Sequence, residues 1–545
     1  QHQQRVQLQQ QRAFPLKGGL DFTMKSALQR FLIALLLCAA GAFKSSFPAA
    51  KFGKNNAAFK AITPRPRISM MSEVVKDFKQ SQGLYSADGK TRRTVIKFGG
   101  SSLATSDRLR EVALLVKDLI KKGDRPIMVC SAMGKTTNNL LSAGDFAMQG
   151  KVYVDAIKTL HLLTADEVGA TNSTKEEINA LLKELEQVLM GVSCLKELSP
   201  RTLDLLVSFG ERLSVRLMAA QLNSIGVPAQ AFDAFALGLR TTDDFKNAEI
   251  LEESYANVKA TLGPMDQNLV PVVTGFMGAT KDGSIATLGR GGSDLTATFL
   301  AAAIGADEVQ VWKDVDGIMT ADPRVVATAR PVPEITFEEA AELAYFGAKV
   351  LHPIAMRPAM RFNIPVRVKN SYNPEHPGTV ITGTREVEDL ATALTVKNDI
   401  TLIDITSTRM LGQYGFLAKV FGLFEKHKLS VDMIATSEVS VSLTLDKKLE
   451  TIANLPALLE DLKEIANVKV QENKSIVSIV ANLAESSTVM AAVFKFLEKN
   501  NCQVEMMSQG ASKVNIGFVV DASQTDTVLK ELHKCFFEDE PCEML

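Results

Sequence analysis

The chain has 545 residues, which suits two to four domains, and its 46% apolar and 23% charged residues are typical of a soluble globular protein. A net charge of -1 argues against nucleic acid or an anionic membrane as the main partner. The six cysteines are scattered with no CxxC pair, which predicts reduced thiols rather than a disulfide framework.

The N-terminal region differs from the rest in composition. Between Phe22 and Met70 the chain has eight Lys or Arg and no Asp or Glu. A basic start at Met24, an apolar core over 31–37 and small residues after it have the layout of a signal peptide, and a basic stretch typical of transit peptides follows. This order resembles the two-part plastid presequence of algae with complex plastids. It predicts that residues 1–85 are a targeting presequence and disordered tail, removed from a mature plastid protein without a membrane segment. A cytoplasmic protein with a disordered tail is the alternative.

A strand, a glycine loop and a helix open the folded part. Thr94–Phe98 is apolar enough for a buried strand, Gly99 and Gly100 follow it, and a helical pattern leads to a second strand over 126–132. Such a βαβ unit predicts an α/β sheet. A glycine loop after a strand is typical of a phosphate cradle, although not of the Walker A type, because Lys97 precedes the glycines. An ordinary tight turn is the alternative.

A second glycine cluster lies in TLGRGGSDLTA, residues 287–297. Its three glycines leave backbone amides accessible to an anion, and Arg290 offers a planar fork for a carboxylate or phosphate. Ser293 or Asp294 can cap the apolar helix that follows. A carboxylate at an anion site needs a cationic partner, so Asp294 is expected to meet a lysine or Mg²⁺. A capped helix without function would not account for Arg290.

The next segments predict a ligand-binding loop and a helix. A strand over 308–313 leads into a polar loop with Asp314, and open α/β sheets bind ligands at the carboxyl ends of their strands. Residues 337–356 have helical spacing and deliver Lys349. We expect His352, which stands beside a proline, to be a structural residue at a helix end rather than an acid–base catalyst.

Five motifs in chain order resemble those of one enzyme family. They are KFGGSS (97–102), SFGERLS (208–214), TLGRGGSD (287–294), VWKDVDGIMTADPR (311–324) and FGAKVLHP (346–353). This is the order found in aspartate kinases, and the C-terminal half is similar to their monofunctional, lysine-sensitive type in plants and bacteria. The resemblance implies an amino-acid-kinase fold over residues 91–385, with an open, mostly parallel sheet sandwiched by helices.

The resemblance also implies an activity and its residues. The γ-phosphoryl group of ATP, with Mg²⁺ bound through the nucleotide and no metal site on the protein, would pass to the side-chain carboxylate of L-aspartate, giving 4-phospho-L-aspartate. This is the first step of lysine, threonine and methionine biosynthesis. It implies three catalytic residues, Lys97, Asp294 and Lys349, and four that bind aspartate, Thr137, Glu211, Arg290 and Ser293. It implies these nucleotide contacts: Lys97, Phe98, Gly99, Gly100, Lys313, Asp314, Met319, Arg324, Lys349 and Val350. Two of these positions depart from the residues found in some members of the family: Lys313 stands where those have Thr or Ser, and Met319 where they have Tyr.

The chemistry of this reaction suits these residue types. Phosphoryl transfer depends on positioning and charge neutralisation, and the attacking carboxylate is already ionised near neutral pH, so no general base is required. Because two anions must meet, Lys97 and Lys349 are the candidates that offset their repulsion. Glu211 has the right charge for the ammonium group of the substrate.

An internal repeat follows. Residues 420–434 align without gaps to 493–507, and each repeat has the pattern of alternating strands and helices of a βαββαβ unit. The pair resembles tandem α+β ACT domains, predicted over 395–475 and 476–545, and the resemblance implies that the second is inserted within the first in space. The order of elements differs from a doubly wound sheet.

The first repeat carries glycines before a helix, which suit an amino-acid carboxylate, and the second lacks them. The resemblance implies a lysine site at Met410, Gly412, Gly415, Asp432, Ser437 and Glu438, completed by a neighbouring chain in a homodimer. It further implies feedback inhibition by lysine, with S-adenosylmethionine as a second effector. A purely structural helix cap is the alternative.

Three other functions compete with an active aspartate kinase. Another amino-acid kinase, such as an acetylglutamate or uridylate kinase, is disfavoured by SFGERLS, FGAKVLHP and the paired ACT tail. A catalytically dead ACT sensor would not need Lys97, Glu211 and Arg290. A fusion to homoserine dehydrogenase is disfavoured because no GxGxxG motif appears.

Overall fold

The structure, a computed structural model, describes residues 91–348, 351–385, 389–406, 414–481, 485–509 and 514–538. The predicted presequence at 1–85 lies outside these ranges. None of the helices within them is long and apolar enough to cross a bilayer.

The described elements alternate between strands and helices. The helices are α1 (Ser106–Lys121), α2 (Thr136–Met148), α3 (Asp155–Glu167), α4 (Asn172–Leu195), α5 (Pro200–Ser224), α6 (Glu253–Leu262), α7 (Gly292–Ile304), α8 (Phe337–Tyr345), α9 (Pro353–Arg361), α10 (Phe416–Lys426), α11 (Leu449–Lys463), α12 (Ser486–Lys499) and α13 (Thr525–Phe537). The strands are β1 (Arg92–Phe98), β2 (Asp124–Cys130), β3 (Ala229–Phe232), β4 (Val270–Thr274), β5 (Met277–Ala279), β6 (Ile285–Thr287), β7 (Glu308–Lys313), β8 (Glu334–Thr336), β9 (Val366–Asn370), β10 (Thr379–Thr382), β11 (Ala391–Thr406), β12 (Ile434–Thr436), β13 (Ser440–Asp446), β14 (Asn467–Ala481), β15 (Met506–Ser508) and β16 (Asn515–Asp521).

The N-terminal part is built on a mostly parallel sheet. Over the described ranges it has eight strands in the order β3-β4-β2-β1-β7-β9-β10-β8, and β10 runs antiparallel to β9. The end of β1 is buried on both faces, with Ile96 and Phe98 in one apolar cluster and Val95 in the other. Burial on both faces requires a layer of helices on each side, which is why the strand is a continuous apolar run. The predicted α/β sandwich is confirmed.

The order of the strands indicates where in the sheet a ligand is expected to bind. The chain passes from β1 to β2 on one side, and β7 later pairs with β1 on the other side. The two crossovers diverge at this point, so a crevice forms at the carboxyl end of β1, where open α/β sheets bind ligands.

The helix predicted over 337–356 is two helices. α8 ends at Tyr345 and α9 begins at Pro353, and the described residues between them, 346–348, 351 and 352, are not helical. Gly347 has φ +124°, which a residue with a side chain rarely adopts, and proline suits the first position of α9. His352 is the N-cap of α9, accepting a hydrogen bond from the Ile354 N–H at 3.4 Å, so the structural role expected for it fits.

The C-terminal part has a second, antiparallel sheet of six strands among the described residues, in the order β12-β13-β11-β14-β16-β15. β11 and β14 run through both repeats. The start of β11, Ala391 and Leu394, lies in a core with β16 and α13, whereas Ile403 and Ile405 lie in another with α10 and α11. The chain therefore forms the first part of the second ACT unit, then the whole of the first unit, and afterwards the remainder of the second unit. The insertion implied by the resemblance is wrong in its order, because the first unit is inserted within the second.

The cysteines do not all match the prediction. Cys130, Cys194 and Cys502 are free thiols, whereas Cys535 is disulfide-bonded. The expectation of reduced thiols is therefore wrong at Cys535. Burial raises the pKa of Cys130 to about 12, which keeps this thiol protonated and unreactive at neutral pH.

Candidate active site

Three charged side chains from different elements meet in the crevice at the end of β1. The Nζ atom of Lys97 lies 2.6 Å from Oδ1 of Asp294, and Nζ of Lys313 lies 3.6 Å from its Oδ2. Lys97 belongs to β1, Lys313 ends β7 and Asp294 stands in the first turn of α7. Both lysines and the carboxylate are largely buried. The cluster carries one net positive charge and faces the strand ends.

The pKa values reflect this crowding. Burial alone would raise the pKa of Asp294, but the ammonium groups of Lys97 and Lys313 outweigh it and hold the pKa below its usual value. Burial lowers the pKa of Lys313, opposed by Asp294 and assisted by the charge of Lys97. Asp294 thus keeps two neighbouring ammonium groups from repelling each other before any ligand binds.

Bare backbone surrounds the cluster. A Cβ added at Gly99 would lie 3.8 Å from Nζ of Lys97, and one added at Gly100 only 2.8 Å from the carbonyl oxygen of Ala132. The Gly134 N–H donates to the Gly100 carbonyl at 3.0 Å, which joins the loop after β1 to the loop after β2. A side chain at Gly100 would force these loops apart, so glycine is required for their close approach.

Glu211 lies buried in α5, with 4% of its surface exposed. Burial raises its pKa to about 8, although backbone N–H groups at Ala132 and Glu211 and the charge of Lys97 act in the opposite direction. Its Oε2 atom has no hydrogen-bond partner among the described residues. Gly210 permits this placement, because a Cβ there would lie 2.7 Å from that of Ala132. A buried carboxyl with an unpaired oxygen is suited to an incoming ammonium group.

The loop before α7 adopts the left-handed backbone that its glycines predict. Gly289 has φ +70° and Gly291 has φ +73°, and a Cβ on Gly291 would lie 2.7 Å from that of His352. Arg290 between them is exposed, which leaves its guanidinium accessible to an anion. Ser293 receives a hydrogen bond from the Ser131 hydroxyl at 3.1 Å, which joins the start of α7 to the end of β2.

Two residues of this site were missed in the sequence. Ser131, which contacts Ser293, stands in an apolar strand end without a recognisable motif. Asp204 accepts hydrogen bonds from residues of the loop before α7. Its only sequence signal is its position seven residues before Glu211, on the same face of α5.

The residues predicted to contact the nucleotide are less clustered than the residues around Lys97 and Asp294. Phe98 is buried and stacks on Trp312, with ring centroids 5.8 Å apart, so only its backbone is available to a ligand. Arg324 is exposed and pairs with Asp322 in its own turn at 2.6 Å. Met319 forms a backbone bridge to Pro331. The remaining positions are as follows: Asp314 is exposed beyond β7, Thr137 is half-buried near the start of α2, and Lys349 and Val350 lie outside the described residues.

The proposed effector residues lie at the boundary between the two sheets. Oδ1 of Asp432 is 2.7 Å from Nζ of Lys397 and accepts a hydrogen bond from the Tyr345 hydroxyl at 3.3 Å. The Asp432 side chain is 5% exposed, and its Oδ2 atom has no partner among the described residues. Burial and the charge of Asp432 raise the pKa of Tyr345 to about 12. The other described positions are Gly415, the N-cap of α10 with φ +82°, and the exposed Ser437 and Glu438; Met410 and Gly412 lie outside the described residues.

The segment after Tyr345 is held by the ACT sheet. Phe346 lies in an apolar cluster with Ile400 and Met433, and its carbonyl accepts a hydrogen bond from the Thr395 hydroxyl at 3.0 Å. A Cβ on Gly347 would lie 2.3 Å from the carbonyl oxygen of Val396. β11 therefore contacts the chain two and three residues before Lys349.

Comparisons with known proteins agree with this geometry. Residues 92–370 match the amino acid kinase family, and residues 477–536 match the ACT domain. Aspartokinase 2, chloroplastic, of Arabidopsis thaliana is 50% identical over 474 residues, covering 84% of this chain and 86% of that protein. Lysine-sensitive aspartokinase 3 of Escherichia coli is 38% identical over 453 residues, covering 82% and 99%.

Solved structures agree as well. Escherichia coli aspartokinase III in complex with aspartate and ADP, the R-state, has a TM-score of 0.69 and 36% identity, covering 81% of this chain and 99% of that one. The same protein in complex with lysine and aspartate, the T-state, also has a TM-score of 0.69, with 37% identity and coverage of 82% and 99%.

Proposed function

The chain belongs to the aspartokinase family and is an aspartate kinase, and from this premise we propose how its site works. The cluster of Lys97, Asp294 and Lys313 draws the terminal phosphate of ATP into the crevice. There the side-chain carboxylate of L-aspartate attacks the γ-phosphorus, the bond to the bridging oxygen breaks, and 4-phospho-L-aspartate and ADP are formed. The observation that carries this proposal is the buried ion pair of 2.6 Å between Lys97 and Asp294 beside the bare amides of Gly99 and Gly100.

The proposed substrate contacts follow from charge and exposure. Glu211, whose Oε2 is unpartnered, binds the ammonium group of aspartate. Arg290, with Ser293, binds its α-carboxylate through a bidentate pair, which fixes orientation as well as charge. Thr137 stands near the start of α2, where a hydroxyl can donate to either carboxylate. With the ammonium group and the α-carboxylate both held, the side-chain carboxylate at the other end of the molecule is directed at the phosphate.

In the proposed nucleotide site, the phosphates meet backbone amides and ammonium groups. The amides are those of Phe98, Gly99 and Gly100, and the ammonium groups are those of Lys97, Lys313 and Lys349. The rest of the nucleotide is contacted by Asp314, Met319, Arg324 and Val350. The described residues contain no group of three His, Cys, Asp or Glu that could hold a metal ion. Asp294 is already engaged by two lysines. As the family resemblance implies, Mg²⁺ would be bound through the nucleotide and would supply neutralisation of charge on the transferred group.

No general base is needed in this mechanism, since the attacking carboxylate is ionised near neutral pH. What the protein supplies is positioning and preorganised positive charge. The intact cluster also disfavours a catalytically dead ACT sensor.

A coupled ADP-release assay tests the function. With ATP and magnesium, the purified chain is expected to release ADP with L-aspartate and not with N-acetylglutamate, and lysine is expected to slow the release. An absence of ADP release with L-aspartate would reject the proposed activity, whereas turnover that lysine leaves unchanged would reject only the regulation.

Glu211 predicts a pH dependence. With its pKa raised to about 8, the free site is mostly protonated below that pH, and it must lose this proton to pair with an ammonium group. The KM for aspartate is therefore expected to fall as pH rises, by up to about tenfold per unit, and to level off above about pH 8. Steady-state kinetics across this range would show it, with the KM for ATP as the control. A KM for aspartate that does not change with pH would contradict the assignment.

The proposed regulation uses the first ACT unit. Lysine binds between the glycines before α10 and the acidic residues Asp432 and Glu438, with Met410, Gly412, Gly415 and Ser437 completing the site. A neighbouring chain contributes in a homodimer, and S-adenosylmethionine is a further effector. The grip of β11 on Phe346 and Gly347 supports a route from this site to Lys349.

Lys397 predicts a change in lysine affinity. Its ammonium group lies 2.7 Å from Oδ1 of Asp432, so an effector ammonium has to compete with it. Replacing Lys397 by methionine is expected to lower the Kd for lysine about tenfold, because no buried ion pair must then be broken. Isothermal titration calorimetry on the full chain measures this. Lys447→Met, which removes the pair with Glu472 elsewhere in the same unit, is the matched control. Weaker lysine binding in Lys397→Met would contradict this prediction. It would show that Lys397 is needed to form the pocket and does not compete with the effector for the Asp432 carboxylate.

We also keep two predictions from the sequence as proposals. The relatives in Arabidopsis thaliana are chloroplastic, and residues 1–85 have the composition of a presequence, which together support a plastid location. The domain limits of 91–385, 395–475 and 476–545 are retained, with the start of β11 added to the second ACT unit.

A further inference from the structure

Asp204 stands apart from the proposed catalytic residues but binds the loop that carries one of them. Its side chain is buried, with 1% of the residue exposed. Oδ2 accepts the backbone N–H groups of Thr287 at 2.7 Å and Lys246 at 2.9 Å, and Oδ1 accepts the Thr287 hydroxyl at 2.9 Å. All three donors lie in loops or strand ends at the site, so the carboxylate joins two segments to α5.

The two segments that contain Thr287 and Lys246 are stabilised by their hydrogen bonds to the carboxylate of Asp204. Thr287 ends β6 and stands three residues before Arg290. Lys246 has φ +78°, an unfavourable conformation for a residue with a side chain, and its N–H group is the one that Asp204 binds. The two segments also contact each other, because the Ala248 N–H donates to the Thr287 carbonyl at 2.9 Å. A Cβ on Gly289 would lie 3.0 Å from the carbonyl oxygen of Lys246. The loop before α7 therefore packs against the segment around Lys246, whose unfavourable backbone conformation is stabilised by the hydrogen bond to Asp204.

The same helix carries the opposite end of the substrate site. Asp204 and Glu211 both belong to α5 and are seven residues apart, which places them on one face about 10 Å apart along the axis. A helix of 25 residues is rigid over two turns. The distance from Glu211 to the loop of Arg290 is thus determined by one carboxylate on the helix.

We propose that Asp204 is a positioning residue that fixes the loop of Arg290 relative to Glu211, so that the ammonium group and the α-carboxylate of one aspartate molecule are bound together. This inference rests on the proposed roles of Glu211 and Arg290. Asp204 touches no reacting atom. It acts by keeping Glu211, which binds the ammonium group, and Arg290, which binds the α-carboxylate, at a fixed distance from each other.

The kinetic test separates positioning from general stability. In Asp204→Ala the KM for L-aspartate is expected to rise about 100-fold, as for a misplaced binding group, while the KM for ATP changes by less than about threefold. Asp204→Asn is expected to restore the KM for aspartate to within about threefold of the native value, since the amide oxygen accepts both N–H groups and the hydroxyl of Thr287 can accept as well as donate.

Two controls keep the test decisive. Asp124, equally buried at 3% and paired with Arg92 at 2.8 Å, stands at the opposite, amino-terminal end of β2. Asp124→Ala is expected to lower the melting temperature without moving the KM for aspartate. If Asp204→Ala does not fold, Thr287→Val removes a single hydrogen bond from Asp204 and is expected to raise the KM for aspartate several-fold, with Thr287→Ser as its conservative partner.

Folded Asp204→Ala or Thr287→Val with an unchanged KM for aspartate would overturn the inference. So would equal increases in the KM values for aspartate and ATP, or an Asn variant as defective as the Ala variant. If the native chain showed no turnover with aspartate, the proposed function would fail instead, so the two failures are distinguishable.

Discussion

Replacing Lys97 by alanine, or Asp294 by alanine, is expected to reduce kcat by at least about a thousandfold, because each change removes preorganised charge from the transferred phosphoryl group. The pair is buried, with side-chain exposures of 9% and 6%. Breaking it leaves an uncompensated charge in the interior, at a cost of up to about 3–5 kcal/mol of stability. Lys313 moderates this cost for the first variant, since it remains 3.6 Å from Asp294. Steady-state ADP release and thermal unfolding would be measured together.

The double variant distinguishes catalysis from folding. With both residues replaced, neither Lys97 nor Asp294 is left facing the loss of the other, although Lys313 loses its contact with Asp294. Stability is therefore expected to recover only partly, while turnover stays absent. Lys474→Ala is a matched control, because that ammonium group is also 9% exposed and pairs with Glu505 at 2.7 Å, but lies in the ACT sheet. Any single variant of Lys97 or Asp294 that kept a tenth of the native kcat would contradict the assignment.

Glu438→Lys is expected to raise the inhibition constant for lysine at least about 100-fold, because a cation placed where the effector ammonium binds costs several kcal/mol. Glu438 is exposed, so the substitution disturbs no packed core. Inhibition curves would be measured relative to the uninhibited rate of each variant.

The control for this prediction is another charge reversal in the same unit. Glu464→Lys changes the net charge equally at an exposed position after α11, so it reproduces the long-range field without altering the pocket. An unchanged inhibition constant in Glu438→Lys would remove this residue from the lysine site, while an equal rise in both variants would show a general electrostatic effect.

The local features of the catalytic part were predictable from the sequence. The strand that ends at Phe98, the glycines after it and the left-handed glycines beside Arg290 follow from short-range chemistry, since apolar runs, missing Cβ atoms and helix caps act within a few residues. The charge of Asp294 at an anion site required a cation, and the structure supplies Lys97 at 2.6 Å.

Some predictions at the nucleotide site found less support. Phe98 is stacked on Trp312 in the core, and Arg324 is engaged by Asp322 within its own turn. Motif order indicates that a residue belongs to a site, but burial decides whether its side chain or only its backbone reaches a ligand. That depends on packing against distant segments.

Composition and spacing thus predicted the α/β class, the two glycine loops and the repeated ACT pattern, because these depend on neighbours along the chain. Tertiary structure alone decided which segments meet. It brought Asp204 to Thr287 and Lys397 to Asp432, and it paired the start of β11 with the second ACT unit. Contacts between residues far apart in the chain follow from strand order and helix packing, which leave no periodic signal in the local sequence.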